Sequence, residues 1–165
     1  MGKQEFVASK AAGVHCELSK LVGAWQGTSR VWFEPGKLGE EALIKGNIRA
    51  VLDGRFVLHE YHSQLMGQPQ HGIAIIGYHL DEQRYESAWI DSGHMGTGIM
   101  FATSEGIASG AGLLGHYGDG AGGPSWRWRT EIELNSPDRL LITAYNISPA
   151  GEEAKATEID YRRQK

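Results

Sequence analysis

The feature that most constrains this chain is a long succession of short segments in which apolar and polar residues alternate. Alternation with a period of two is typical of half-buried strands. We assign strands to Gly23–Glu34, Glu41–Leu52, Arg55–Met66, Gln70–His79, Arg84–Ile90, Met95–Phe101, Gly106–His116, Ser125–Leu134, Leu140–Ile147 and Glu152–Arg162. No helical segments alternate with these strands, which argues against a parallel α/β sheet.

The connections between these segments are short and carry turn residues. Asp53-Gly54 is a strong signal for a two-residue hairpin, and Pro35-Gly36 is a second turn. Glycine supplies 23 of the 165 residues, roughly double its usual share. Gly118–Pro124 is predicted to be the longest flexible loop. Together these features predict an all-β fold, a single up-and-down antiparallel β-barrel of about ten strands.

The segment before the first strand has a different period. Val14, Leu18 and Leu21 recur at helical spacing and predict one short amphipathic helix over residues 9–21. We expect residues 1–8 to be a flexible N-terminus and residues 9–165 to form one barrel domain, a length that suits a single domain. Trp25 then opens the first strand beside two glycines, and we expect it to plug the closed end of the barrel.

Composition restricts the partners and the compartment. The net charge is −4 and no basic stripe is present, so nucleic acid and anionic membranes are poor partners. Cys16 is the only cysteine, so no intramolecular disulfide can form. The first twenty residues lack an apolar leader. We therefore expect a cytoplasmic protein without membrane insertion, and a homodimer formed through an open edge or an apolar outer face is compatible with this fold.

The alternation also assigns residues to the inside of the barrel. In the third strand the inward set is Val57, His59, Tyr61, Ser63 and Leu65. In the fifth strand it is Tyr85, Ser87, Trp89 and Asp91, and in the eighth strand it is Trp126, Trp128, Thr130, Ile132 and Leu134. These assignments predict an interior with aromatic walls and one carboxylate, which suits a small amphipathic ligand.

Several stretches carry a family resemblance. They are Leu21–Gly27, Gly54–Tyr61, Ile76–Tyr78, Tyr85–Asp91, His94–Thr97 and Trp128–Glu131. In this combination the chain resembles the bacterial lipocalin-like family catalogued as domain of unknown function number 1579. The resemblance implies a calycin-type barrel and no established activity, so an interior binding site is expected from the fold alone.

Our leading hypothesis is a binding protein that holds a small hydrophobic or amphipathic ligand inside the barrel, rather than an enzyme. The residues predicted to bind this ligand are His59, Tyr61, Tyr78, Trp89, Asp91, His94, Met100 and Trp128. Aromatic side chains would provide stacking surfaces, and the histidines and the carboxylate would provide polar contacts. No catalytic residue, metal ligand or cofactor is assigned.

An enzyme is the first alternative. Asp91 and His94 flank a turn, and with His59 from a neighbouring strand they would make a metal or acid–base cluster. The simpler interpretation is that Asp91 caps the Ser92-Gly93 turn. His62 is excluded from any such cluster with His59, because residues three apart on a strand point to opposite faces.

Haem binding is the second alternative. Gly23, Trp25 and Gly27, with Pro35 after them, are similar to the opening of nitrobindin-type haem barrels. That family takes its proximal histidine from near the C-terminus, whereas this chain has no histidine after residue 116. An axial ligand would therefore have to be one of four other histidines. They are His59, His71, His94 and His116.

Overall fold

The computed structural model describes residues 2–108, 110–118 and 120–165, and these residues form two short helices and ten strands. The helices are α1 (Lys3–Ala12) and α2 (Val14–Ser19). The strands are β1 (Gly23–Glu34), β2 (Lys37–Val51), β3 (Phe56–Leu65), β4 (Gln68–His79), β5 (Arg84–Asp91), β6 (Met100–Ser104), β7 (Leu113–Tyr117), β8 (Trp126–Ser136), β9 (Arg139–Ile147) and β10 (Glu153–Arg163). Among the residues described, no helix combines the length and apolarity needed to cross a membrane.

The strands form one closed antiparallel barrel. Each strand pairs with the next, and β1 pairs with β10 to complete the ring. The predicted up-and-down β-barrel is therefore confirmed. We call the end where β1 begins the closed end, because the two helices lie beside it. The opposite end, which carries the connections after β5 and β7, is the loop end.

Trp25 fills the closed end of the barrel. Its side chain is only 1% exposed, and its indole Nε1 donates a hydrogen bond to the carbonyl oxygen of Leu21 at 2.9 Å. Its ring packs beside the ring of Tyr161, with 6.2 Å between centroids, and both belong to a core cluster that includes Leu18 of α2. The tryptophan thus plugs the closed end, as predicted, and it also joins the helical segment to the barrel.

Arg163, the last residue of β10, connects the closed end of the barrel to the segment that follows α2. Its guanidinium donates hydrogen bonds to the carbonyl oxygens of Val22 at 2.5 Å and Lys20 at 2.8 Å. It also lies over the ring of Trp25, at 4.2 Å from the centroid. A Cβ at Gly23 would lie 2.4 Å from the guanidinium, and φ at this residue is +151°. Glycine is therefore required for both the backbone conformation and the space.

The prediction of a single helix over residues 9–21 is wrong in its bounds. α1 begins at Lys3, and extended backbone at Gly13 separates it from α2. Residues 3–8, expected to be flexible, form the first part of α1. Phe6 is buried there, with the guanidinium of Arg55 at 4.3 Å from its ring centroid. A single buried aromatic side chain does not produce a helical period, so the sequence carries no apolar pattern for α1.

The bounds of two predicted strands differ most from the structure. Met95–Phe101 was predicted as the sixth strand, whereas β6 is Met100–Ser104 because turn residues occupy much of the preceding segment. Gly106–His116 was predicted as the seventh, whereas β7 begins at Leu113. Positive φ angles at Gly110 and Gly112 interrupt the extended backbone before it. Met1, Ser109 and Asp119 lie outside the described residues, so the flexible N-terminus, the seventh strand and the loop Gly118–Pro124 are assessed only at their other residues.

Candidate functional site

A cavity of about 110 Å³ lies inside the barrel, above the closed end. Its walls are mostly apolar and come from inward-facing residues of the strands, with His94 from the connection after β5. Six of the predicted ligand-binding residues line it: His59, Tyr61, Trp89, His94, Met100 and Trp128. The alternation of the strands was therefore sufficient to place most of these side chains around one space.

Tyr78 lies elsewhere. Its side chain points inward but sits at the closed end, where its ring packs against Tyr85 with 5.0 Å between centroids. With Phe6 and His15 it lines a second pocket of about 300 Å³ between the helices and the barrel. The strand pattern gives the face of a residue but not its depth along the barrel axis, and for this reason Tyr78 was grouped with the others.

Asp91 lies behind the cavity wall and holds several of the side chains that line the cavity in place. Its side chain is fully buried. The Tyr61 hydroxyl donates a hydrogen bond to its Oδ2, and the amide Nε2 of Gln70 donates to the same oxygen at 3.0 Å. Gln70 lines the cavity and was missed in the sequence, although it shares its strand face with inward Ala74 and Ile76. That shared face was the signal that would have found it.

The second carboxylate oxygen of Asp91 caps the turn after β5. The backbone N–H groups of Gly93 and His94 donate to Oδ1 at 2.6 and 2.7 Å. The ring nitrogen Nδ1 of His94 lies 3.1 Å from the same oxygen. The capping role predicted for Asp91 is present, and the same contacts bring His94 against the carboxylate. The turn therefore fixes the position of an imidazole at the loop end of the cavity.

The contacts of Asp91 and Tyr61 determine which of these two groups carries a proton. Burial on its own would raise the pKa of Asp91, but hydrogen bonds from His94 and Tyr61 outweigh that effect and hold the pKa well below its usual range. Burial, with the charge of Asp91, raises the pKa of Tyr61 well above its usual value. Asp91 is therefore ionised, and it accepts the hydrogen bonds that orient His94. To act as a general acid, Asp91 would need a raised pKa instead.

Aromatic rings form one side of the cavity. The rings of Trp89 and Trp128 stack with centroids 5.7 Å apart and planes 21° apart, and the imidazole of His94 lies about 6 Å from both. The indole Nε1 of Trp89 donates to the Tyr61 hydroxyl at 2.9 Å. A Cβ at Gly72 would lie 2.1 Å from the Tyr61 ring, so only glycine leaves room for it. This wall offers flat surfaces against which a ligand can pack.

His59 belongs to a different contact set from Asp91 and His94. Its Nε2 lies 3.0 Å from the hydroxyl of Tyr161, and its ring packs against Tyr61 with 5.1 Å between centroids. Tyr61 therefore stands between His59 and the carboxylate. The three-residue cluster of His59, Asp91 and His94 considered in the sequence does not form by direct contact among these side chains.

Burial lowers the pKa of His59 to about 4, below its ordinary value of 6.5. The unfolded chain then binds the proton at a higher pH than the folded chain, so this residue makes stability fall as pH drops from 6.5 to 4. At about 1.4 kcal/mol per pH unit, we expect a loss of roughly 3 kcal/mol. Urea unfolding across this pH range measures it.

The control for this prediction separates His59 from the exposed histidines. The substitution His59→Gln should flatten most of the slope between pH 6.5 and 4, whereas His116→Gln, on the exposed side of β7, should leave it unchanged. A smaller slope from His15, whose pKa is also lowered by burial, should persist in both variants. An unaltered slope in His59→Gln would contradict the assignment.

The geometry also bears on haem. Of the four candidate axial histidines, His71 and His116 are exposed on the outside of the barrel, and His59 and His94 line the cavity. Pockets for drug-sized ligands have volumes of about 300–1,000 Å³. Haem is at least as large as a drug-sized ligand. A cavity of about 110 Å³ is therefore too small to hold it.

The fold and the cavity define a class: small antiparallel β-barrels with an aromatic-walled interior. More particularly, the chain belongs to the family described as Protein of unknown function (DUF1579), whose model matches residues 10–163. Among solved structures it is similar to a de novo designed fluorescence-activating β-barrel, at 14% identity and a TM-score of 0.45, with 89% of this chain and 96% of that chain covered. No curated protein matches the chain. The family resemblance seen in the sequence is thus confirmed, and the family description carries no activity.

Proposed function

We propose that this protein binds a small hydrophobic or amphipathic molecule in the barrel cavity. The observation that carries the proposal is the combination of a mostly apolar cavity with a fixed polar group at its loop end, His94 held by buried Asp91. Sites for small molecules are typically apolar pockets with a few oriented polar groups. A ligand would pack its apolar part against Trp89 and Trp128 and direct its polar atom to His94.

The cavity limits the size of the ligand. Apolar cavities of about 150 Å³ accept a molecule of the size of benzene, and this cavity has a volume of about 110 Å³. A ligand held wholly inside therefore has only a few carbon atoms, and a longer one would extend past the loop end.

The buried carboxylate limits the charge of the ligand. Asp91 is ionised and fully buried beside the aromatic wall, so a second anion in the cavity would be repelled at low dielectric. Neutral and cationic polar groups are compatible with the site. This distinction separates two probes of nearly equal size, 1-butanol and butanoate.

We expect 1-butanol to give a saturable change in tryptophan fluorescence, because Trp89 and Trp128 line the cavity. Butanoate should bind at least about tenfold more weakly, which corresponds to about 1.4 kcal/mol of repulsion. Fluorescence titration at neutral pH measures both. The substitution Ala144→Leu adds a side chain that occupies the cavity and should abolish the response.

The matched control is Ala24→Leu, the same change at an exposed strand position. It should keep the response of the unmodified chain. Equal binding by Ala144→Leu would place the probe outside the cavity and contradict the proposal. So would the lack of a saturable response to 1-butanol in a chain that native mass spectrometry finds free of a co-purifying molecule.

A further inference from the structure

Two histidines and a glutamate meet on the outer surface of the barrel, away from the cavity. His62 on β3 and His71 on β4 are direct partners in the strand register, and their rings stack with centroids 4.1 Å apart. Glu60 precedes His62 by two residues, so both project from the same face of β3. We call these three residues the outer His–Glu cluster.

The distances within this cluster are close to those of a coordination sphere. Nε2 of His71 lies 3.0 Å from Oε1 of Glu60, and one ligand atom from each of the three residues lies within 4.8 Å of the others. Tetrahedral Zn²⁺ with bonds of about 2.0–2.2 Å places its ligand atoms roughly 3.3–3.6 Å apart. A separation at the 4.8 Å limit must shrink by about an ångström, which rotation of exposed side chains can supply.

We propose that the outer His–Glu cluster binds a divalent transition metal ion, Zn²⁺ in the first instance. Two imidazoles and one carboxylate are the donors that Zn²⁺, Cu²⁺ and Ni²⁺ prefer, whereas Ca²⁺ and Mg²⁺ prefer oxygen donors alone. Three protein ligands leave one tetrahedral position for water or an external ligand.

The backbone around the cluster holds the ligands in register. The two-residue connection Met66-Gly67 joins β3 to β4, so the strands pair without interruption from Leu65 and Gln68 onward. The backbone N–H of His71 donates to Ser92 Oγ at 2.9 Å, which also ties this position to the end of β5. A metal site on paired strands needs only side-chain movement to form, because the backbone is already placed.

The charges that face the cluster set the expected affinity. Across the sheet, β2 places the exposed Lys45 opposite His62, and Ile73 of β4 lies opposite Glu60. The cationic Lys45 opposes the approach of a metal ion, and Glu60 favours it. We therefore expect moderate affinity, and we expect Lys45→Gln to increase it.

Isothermal titration of the full chain, first treated with a chelator, with ZnCl₂ tests the site. We expect one ion per chain. His62→Gln and His71→Gln should each weaken binding by at least about tenfold. Changing a residue that only orients a metal ligand already costs about 10–100-fold in affinity, and each of these changes removes a ligand itself. His116→Gln is the matched control on the exposed side of β7 and should bind as the unmodified chain does.

Absorption spectroscopy identifies the metal ligands without relying on the heat measured in the titration. Co²⁺ in place of Zn²⁺ should give visible absorption bands of a low-symmetry nitrogen–oxygen site, and Glu60→Gln should change their intensity. Circular dichroism checks that each variant is folded, and an unfolded glutamine variant is replaced by the alanine variant of the same residue. The proposal is overturned if the folded chain takes up no stoichiometric Zn²⁺, or if both histidine variants bind it as tightly as the unmodified chain.

Discussion

Replacing Trp25 by alanine will lower the free energy of unfolding by about 3–5 kcal/mol, the range found when a large buried aromatic side chain is truncated. The indole is 1% exposed, and its loss leaves a cavity between the helical segment and the barrel. The carbonyl of Leu21 also loses its indole donor, and the guanidinium of Arg163 loses the ring beneath it. Urea unfolding followed by circular dichroism measures the change.

Trp126→Ala is the matched control for this substitution. Trp126 is 36% exposed at the first position of β8, on the loop end of the barrel. We expect a loss below about 1 kcal/mol, because a partly exposed side chain leaves no closed cavity. If both variants lost equal stability, Trp25 would not have the structural role that its burial indicates.

Replacing Asp91 by alanine will cost about 3–5 kcal/mol, the range for removing one partner of a buried charged network. The substitution leaves the Tyr61 hydroxyl, the Gln70 amide and the backbone N–H groups of Gly93 and His94 without their acceptor. Each orphaned buried donor costs about 1–3 kcal/mol unless water reaches it. Thermal and urea unfolding measure the loss.

Two further variants define the source of the Asp91 effect. Asp91→Asn keeps the shape and one acceptor oxygen, so its loss should lie between that of the alanine variant and zero. Asp138→Ala removes an exposed carboxylate whose ion-pair distance to Arg163 is 4.0 Å, and its loss should stay below about 1 kcal/mol. A loss in Asp91→Ala no larger than in Asp138→Ala would contradict the buried network.

The sequence was informative wherever a strand is half buried. The predicted bounds of β1 agree with the structure, and the inward sets in β3 and β5 include the buried residues His59, Tyr61 and Asp91. The reason is physical: one face of each strand meets the interior and the other meets solvent, so every second residue carries the signal. Trp89 and Asp91 could be placed near one space on this basis alone.

The depth of a side chain along the barrel axis and its neighbours across the strands became known only from the structure. Tyr78 has the predicted face but lies at the closed end. The contacts between His62 and His71 depend on the β3–β4 register. The predicted strands ended at Met66 and began again at Gln70, whereas β3 ends at Leu65 and β4 begins at Gln68. A shift of one residue in a hairpin changes which side chains are opposite each other, so period-two patterns cannot define such pairs.

The pairing of β1 with β10, which closes the barrel, affects the order in which the strands can assemble. Every other strand pairing among the described residues joins strands that follow each other in the chain, whereas Trp25 pairs with Arg163 and Val31 with Thr157. Pairing across so long a stretch carries the largest loop-closure entropy and slows folding. Hairpins can therefore form early, but the enclosed space exists only once the last strand has docked. A ligand held there would stabilise the finished ring and could not guide the steps before it.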